Sequence, residues 1–142
     1  MPGRFSTHSL GMNAIPMPLA TRSNAARAVS TVQTTASSVG KTEEDCKAQG
    51  VEYEVKKLSM MYSGRFVAEN EGADGLCKII VDKKTRLILG VHLIGAYAGE
   101  MIWGGAQMLE TQFRVTDGRQ IIFPHPTVSE IIREVLWEFP DK

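Results

Sequence analysis

Two apolar segments joined by a short polar tip place the strongest constraint on how this chain can fold. The first segment reads "LCKIIVD" (76–82), the tip reads "KKT" (83–85), and the second segment reads "RLILGVHLIG" (86–95). Both segments are rich in β-branched residues, and a polar tip of this length is typical of a β-hairpin. We therefore predict two antiparallel strands at the centre of a sheet, with His92 in a structural role on the second strand.

The residues before the hairpin predict one helix and one strand. "GKTEEDCKAQG" (40–50) has a capping threonine at Thr42, acidic residues in its first turn and a closing glycine at Gly50. "VEYEVKKL" (51–58) alternates apolar and charged residues, which favours a half-buried strand. The segment "SMMYSGRFVAEN" (59–70) fits neither pattern.

The residues after the hairpin predict two helices. "GAYAGEMIWGGAQMLETQF" (95–113) has apolar residues at helical spacing. Gly104 and Gly105 each cost about 1 kcal/mol relative to alanine inside a helix, which suggests that a neighbouring backbone approaches closely there. Residues 128–139 carry a second apolar helical face. The order helix, strand, hairpin, helix, helix predicts an α+β fold, an antiparallel sheet with the helices on one side.

The first 28 residues differ in composition from the rest of the chain. They contain arginines but no acidic residue, and they show neither helical nor alternating periodicity. We predict that residues 1–28 are a disordered or non-homologous leader and that residues 29–142 are one domain, with ordered structure beginning near Val39. Spaced arginines without acids also resemble a mitochondrial targeting segment, and this alternative stays open.

Composition and charge argue against several classes of function. Sixteen basic and sixteen acidic residues cancel, so neither nucleic acid nor an anionic membrane is an expected partner. No apolar run reaches the roughly 18–20 residues of a membrane span. Cys46 and Cys77 form no paired-cysteine motif, and we expect free, partly buried thiols in the cytoplasm, with the mitochondrial matrix as the alternative. Three scattered histidines predict no metal site.

The stretch "FPHPTVSE" (123–130) carries the candidate chemistry. Thr127 and Glu130 match a Thr-x-x-Glu capping box, and in this purely structural interpretation His125 is only a loop residue. The same spacing lets the His125 imidazole, just outside the helix, reach the Glu130 carboxylate. Such a carboxylate would fix the tautomer of the ring and favour the imidazolium, as in an acid–base pair. The 125–126 bond is a candidate cis peptide, because X-Pro bonds tolerate cis.

This stretch resembles the C-terminal signature of the FAD-dependent pyridine nucleotide–disulfide oxidoreductases, most closely the dihydrolipoamide dehydrogenases. The likeness extends upstream through "VGKTEED" (39–45), "GVHLIG" (90–95) and "AGEMI" (98–102), in the expected order. Glutathione reductases share the His-Pro-Thr and the later glutamate, but they generally lack Ala-Gly-Glu at the position of residues 98–100. The match covers roughly residues 29–142 and corresponds to the dimerisation domain of the family.

The resemblance implies a role for each candidate residue. In the family, dihydrolipoamide reduces an enzyme disulfide, electrons pass to FAD, and NAD+ accepts hydride. The histidine matching His125 is the acid–base catalyst for the substrate thiol, and the acid matching Glu130 orients it. This histidine acts across the dimer on the other subunit. The implied partners are a second copy or a full-length dehydrogenase subunit, and the lipoyl domain of a 2-oxo acid dehydrogenase or glycine cleavage complex.

The sequence also departs from the pattern of the family. No GxGxxG follows a strand and no paired-cysteine motif is present, so FAD and NAD are expected only in the complete enzyme. "QTTASS" (33–38) replaces a Pro-Glu-containing segment, and the first strand is expected to be damaged. We therefore expect the interface fragment of a dihydrolipoamide dehydrogenase, inactive alone, with a role in redox homeostasis. The alternatives are a non-catalytic dimerisation module and the matching domain of a glutathione-reductase-like enzyme.

Overall fold

The two segments of the hairpin lie at the centre of a five-stranded antiparallel sheet in the computed structural model, which describes residues 29–31 and 34–141. The strands are β1 (Val29–Thr31), β2 (Thr34–Gly40), β3 (Tyr53–Ser59), β4 (Leu76–Asp82) and β5 (Ile88–Gly95). Their order across the sheet is β1-β2-β5-β4-β3. The predicted hairpin is confirmed, because β4 and β5 pair along their length. The predicted leader, residues 1–28, lies outside the described residues.

The side chain of Asp82 closes the tip of the hairpin. Its carboxylate accepts hydrogen bonds from the backbone N–H groups of Lys84 at 2.9 Å and Thr85 at 2.6 Å. Arg86 then takes a left-handed conformation with φ of 64°. The second strand consequently begins at Ile88, two residues later than the apolar pattern suggested.

The expectation that the first strand is damaged, with order beginning near Val39, is wrong. The β2 strand is intact and pairs with β5 in unbroken register, from Thr35 opposite Gly95 to Gly40 opposite Gly90. Alanine, serine and glycine, which make up four of the seven residues of β2, have weak strand preferences, so pairing with a central strand decides the conformation of this segment. Their small side chains also leave room for a helix to pack closely on this strand.

Two helices cover one face of the sheet. They are the third and fifth of the α-helices α1 (Glu43–Ala48), α2 (Gly64–Glu69), α3 (Ala98–Glu110), α4 (Val115–Gln120) and α5 (Glu130–Trp137). The α3 helix packs on β2 and β5, and α5 packs on β3 and β4, around a shared apolar core. The predicted α+β fold is confirmed. The short α1 adds a contact on the opposite face, where Glu43 pairs with Lys78 at 3.2 Å. None of the described helices is long and apolar enough to cross a bilayer.

The two adjacent glycines of α3 lie in different surroundings. A Cβ atom at Gly105 would lie 3.0 Å from Cβ of Val91 and 3.3 Å from Cγ1 of Val39. The close neighbours at Gly105 are therefore side chains of the domain's own sheet, and the predicted neighbouring backbone is wrong at this position. A Cβ atom at Gly104 would meet no described atom within 4 Å. Gly104 instead lines a groove at the surface.

His92 uses both ring nitrogens inside the domain. Its Nε2–H donates to the carbonyl oxygen of Lys41 at 3.0 Å, which leaves Nδ1 to accept from the Ser38 hydroxyl. Burial lowers the pKa of His92, and so the ring is neutral near pH 7. These contacts join β5 to β2 and to the start of α1, as a structural role requires.

Candidate active site at the start of the last helix

The candidate site lies in the loop of residues 121–129, which connects α4 to α5. The His125 side chain is 80% exposed, whereas the Glu130 side chain at the first position of α5 is 8% exposed. The peptide bond between His125 and Pro126 is cis, as predicted. The loop therefore presents an imidazole to solvent while the carboxylate behind it is buried.

Glu130 holds His125 by a direct hydrogen bond. Nδ1 of His125 lies 3.0 Å from Oε1 and 3.2 Å from Oε2 of Glu130. Because an ionised carboxylate only accepts hydrogen bonds, Nδ1 carries the proton in the neutral ring. The other nitrogen, Nε2, is then an acceptor, and no hydrogen bond from residues 35–141 reaches it. One ring nitrogen is thus engaged with Glu130 and the other is available to a reacting group.

Three donors keep Glu130 ionised. The backbone N–H of Thr127 donates to Oε2 at 3.0 Å, and the guanidinium of Arg133 lies 3.2 Å from Oε1. The pKa of Glu130 is lowered, first by the Thr127 hydrogen bond and then by the contact with His125 and the charge of Arg133. Arg133 shares its charge with Glu134, which it contacts at 2.6 Å. At neutral pH the carboxylate is therefore an anion ready to stabilise an imidazolium.

The predicted capping box is only half present. The Glu130 carboxylate accepts from the Thr127 N–H, as the box requires. The Thr127 hydroxyl, however, donates to the carbonyl oxygen of Pro124 at 2.7 Å and does not cap the helix. The helix begins at Glu130 with Ser129 as its N-cap residue, and Ser129 makes no side-chain cap bond. The carboxylate consequently points back toward the loop and reaches His125.

Two residues that the sequence analysis did not identify also contact the site. Arg133 is three residues after Glu130 on the same helix, and this spacing is a signal that could have located it. Ser63 precedes α2, and its hydroxyl donates to the carbonyl oxygen of Thr127 at 3.1 Å. Ser63 belongs to the segment 59–70 that fitted neither pattern, and no local signal connects it with the loop.

An apolar groove of about 320 Å³ opens beside the loop. Its apolar lining comes from α3, the turn after α3, the loop and α5, and it consists of Met101, Trp103, Met108, Phe113, Ile121, Phe123 and Ile132. Trp103, which lines the groove, is 70% exposed, and Ile122, between two lining residues in sequence, is 91% exposed. Large apolar side chains left exposed around a groove are typical of an interaction surface.

The described residues do not fit FAD or NAD. A dinucleotide needs a glycine-rich turn between a strand and a helix, where backbone N–H groups contact the pyrophosphate. The turn from β2 to α1 contains Gly40 followed by Lys41 and Thr42, and the hydroxyl of Thr42 already caps that helix. The turn from β5 to α3 has one glycine, Gly95, followed by Ala96 and Tyr97.

Neither cysteine can serve as the redox centre. Cys46 and Cys77 are free and fully buried, so the expectation of partly buried thiols understated their burial. Burial raises the pKa of Cys46 and raises the pKa of Cys77 to about 12. Because the thiolate is the reactive form, both thiols are inert in the folded domain.

Comparison with known proteins decides the family. The model of the pyridine nucleotide-disulphide oxidoreductase dimerisation domain matches residues 27–136. The chain belongs to this family. Mitochondrial dihydrolipoyl dehydrogenase of Pisum sativum is 44% identical over 105 residues, which are 74% of this chain and 21% of the relative. Leghemoglobin reductase of Vigna unguiculata is 42% identical over 104 residues, which are 73% of this chain and 20% of the relative.

A solved structure extends the comparison to three dimensions. The dimerisation-domain fold is shared with a HOCl-induced flavoprotein disulfide reductase of Escherichia coli, with a TM-score of 0.76 and 28% identity over 84% of this chain and 27% of that chain. The family recognised from the sequence is confirmed. The chain spans about a fifth of the length of the curated relatives it matches.

Proposed function

We propose that this dimerisation domain supplies the acid–base pair His125–Glu130 to the oxidation of dihydrolipoamide. The observation that carries the proposal is the 3.0 Å contact between Nδ1 of His125 and the buried Glu130 carboxylate, on a ring that is otherwise exposed. The likeness to dihydrolipoyl dehydrogenases supports lipoamide as the substrate more than glutathione. The alternative is a glutathione-reductase-like enzyme.

The proton transfer follows from the tautomer of His125. Nε2 accepts the proton of a substrate thiol, so the S–H bond breaks, an N–H bond forms, and the sulfur keeps the electron pair. Glu130 stabilises the resulting imidazolium through the existing hydrogen bond at Nδ1. The thiolate is the species that attacks a disulfide. That disulfide belongs to another domain or chain, because Cys46 and Cys77 are buried.

The proposal makes the domain one half of a shared site. The groove beside the loop, with the exposed Trp103 in its lining, is the surface through which it pairs with a second copy or with a full-length dehydrogenase subunit. FAD and NAD are required by the complete enzyme, and the domain alone is inactive. A lipoyl domain would deliver the substrate. Relatives from Pisum sativum and Arabidopsis thaliana are named mitochondrial, which favours the matrix over the cytoplasm for this chain.

A chimera tests the catalytic role. Residues 29–142 replace the matching domain of a full-length dihydrolipoyl dehydrogenase, and the turnover of dihydrolipoamide oxidation is measured. His125→Gln should lower kcat by about 10²–10⁴-fold, the usual contribution of a general acid–base catalyst. Glu130→Gln should have a smaller effect, because it weakens the orientation of the ring without removing the base.

The matched control is His92→Gln in the same chimera, because His92 is a histidine of the same domain with both nitrogens engaged internally. Its kcat should stay close to that of the unmodified chimera when FAD content and dimer formation are equal. Equal losses for the two histidine variants would reject His125 as the base. Full turnover in the His125 variant would favour a non-catalytic dimerisation module.

A further inference from the structure

We propose that Ser63 is a positioning residue of this site and holds the loop of His125 in the geometry that Glu130 requires. The proposal deepens the proposed function and rests on it. Ser63 lies far from the loop in sequence, in the connection between β3 and α2. It makes no direct hydrogen bond to His125 or Glu130.

Ser63 is itself fixed by burial and by two hydrogen bonds. It is 1% exposed. Its Oγ accepts from the backbone N–H of Phe66 at 3.3 Å and donates to the carbonyl oxygen of Thr127 at 3.1 Å. The Phe66 side chain is fully buried in the core. A hydroxyl with donor and acceptor both engaged has one orientation, and it therefore gives the Thr127 peptide a fixed point of attachment.

Thr127 connects Ser63 with the catalytic pair. Its carbonyl accepts from Ser63, its N–H donates to Oε2 of Glu130 at 3.0 Å, and its hydroxyl donates to the carbonyl oxygen of Pro124 at 2.7 Å. The same carboxylate binds Nδ1 of His125, at 3.0 Å from Oε1 and 3.2 Å from Oε2. Movement of the Thr127 backbone would therefore disturb the carboxylate and, through it, the imidazole.

Few other contacts tie the loop to the domain. Among the side chains of residues 35–141, Ser63 is the one outside 118–134 whose hydrogen bond reaches residues 121–129. Val128 also anchors the loop, since it is buried in the core. At the opposite end of the loop Phe123 packs against the core, whereas Ile122 is among the most exposed side chains of the domain. Ser63 thus supplies the polar link at Thr127, the residue whose backbone N–H donates to Glu130.

Amide hydrogen exchange of the full chain measures this link. In Ser63→Ala the Thr127 amide should exchange about tenfold faster, since one lost hydrogen bond shifts a local opening equilibrium by roughly that factor. The matched control is Thr42→Ala, which removes the equivalent cap of α1, a hydroxyl that accepts from Asp45 N–H at 3.1 Å. An equal rate for the Thr127 amide in both variants overturns the proposal.

The ¹⁵N chemical shift of His125 Nδ1 gives a signature that a loss of overall stability would not produce. In Ser63→Ala this shift should move toward its value in Glu130→Gln, and Ser63→Thr, which keeps the hydroxyl, should restore it. An unchanged shift in Ser63→Ala overturns the proposal. Should the alanine variant not fold, the wild-type chain still decides: its Ser63 hydroxyl proton should exchange slowly with water, and rapid exchange overturns the proposal.

The chimera separates failure of this proposal from failure of the proposed function. Ser63→Ala should lower kcat more than Thr42→Ala and less than His125→Gln. Loss of turnover in His125→Gln with full turnover in Ser63→Ala rejects the positioning role alone. Full turnover in both variants rejects the proposed function.

Discussion

The glycine pair of α3 gives a test in which two adjacent substitutions have opposite signs. Alanine at Gly104 or at Gly105 gains about 1 kcal/mol of helix propensity. A Cβ at Gly104 meets no described atom within 4 Å, so Gly104→Ala should stabilise the domain by nearly that amount. A Cβ at Gly105 lies 3.0 Å from Cβ of Val91 and 3.3 Å from Cγ1 of Val39.

The neighbours of Gly105 cannot move away easily. Val91 and Val39 are buried and belong to the paired strands β5 and β2, and the atoms involved are close to the backbone. Overpacking of this kind costs about 1–3 kcal/mol. Because the propensity gain is common to both variants, Gly105→Ala should be less stable than Gly104→Ala by that same amount, about 1–3 kcal/mol.

Urea denaturation followed by far-ultraviolet circular dichroism measures both free energies of unfolding. The m-values should stay equal, so that the midpoints report stability. Repeating the measurement at a tenfold higher protein concentration separates folding from pairing, because pairing raises apparent stability with concentration. Gly104 lines the groove, so Gly104→Ala should weaken this concentration dependence. Equal stabilisation by both alanines would refute the packing argument.

Three further predictions concern charges and thiols. Because the pKa of Glu130 is lowered on folding, its contribution to stability is complete above the unfolded value of about 4.3 and is lost as the pH falls through the folded pKa. The stability difference between wild type and Glu130→Gln should shrink from pH 7 to pH 3, and a constant difference in urea melts would contradict this. Arg119 donates hydrogen bonds to backbone carbonyl oxygens at the end of α5, so Arg119→Met should lower the free energy of unfolding by about 1–3 kcal/mol. The control Lys83→Met changes an exposed side chain and should leave this free energy nearly unchanged. Ellman's reagent should leave Cys46 and Cys77 unmodified until urea unfolds the chain, because both are fully buried; rapid reaction in the native state would disprove this.

The sequence by itself determined the features that depend on neighbours along the chain. The apolar, β-branched segments around "KKT" have few alternatives to a hairpin, and the hairpin is present in the centre of the sheet. The spacing of His125 and Glu130 likewise lets the two side chains meet, since the residues are only five positions apart in sequence. Short-range geometry of this kind is contained in residue types and spacing.

Only the tertiary structure decided the features that depend on distant partners. The β2 strand forms although four of its seven residues are alanine, serine or glycine, because β5 supplies its hydrogen bonds. Gly105 and Gly104 look alike in sequence, and only the packing of α3 on the sheet distinguishes them. Ser63 and Thr127 are 64 residues apart, so no periodicity could connect them. Contacts of this range arise when separate elements pack together, and the energy that decides them is absent from any local stretch of the chain.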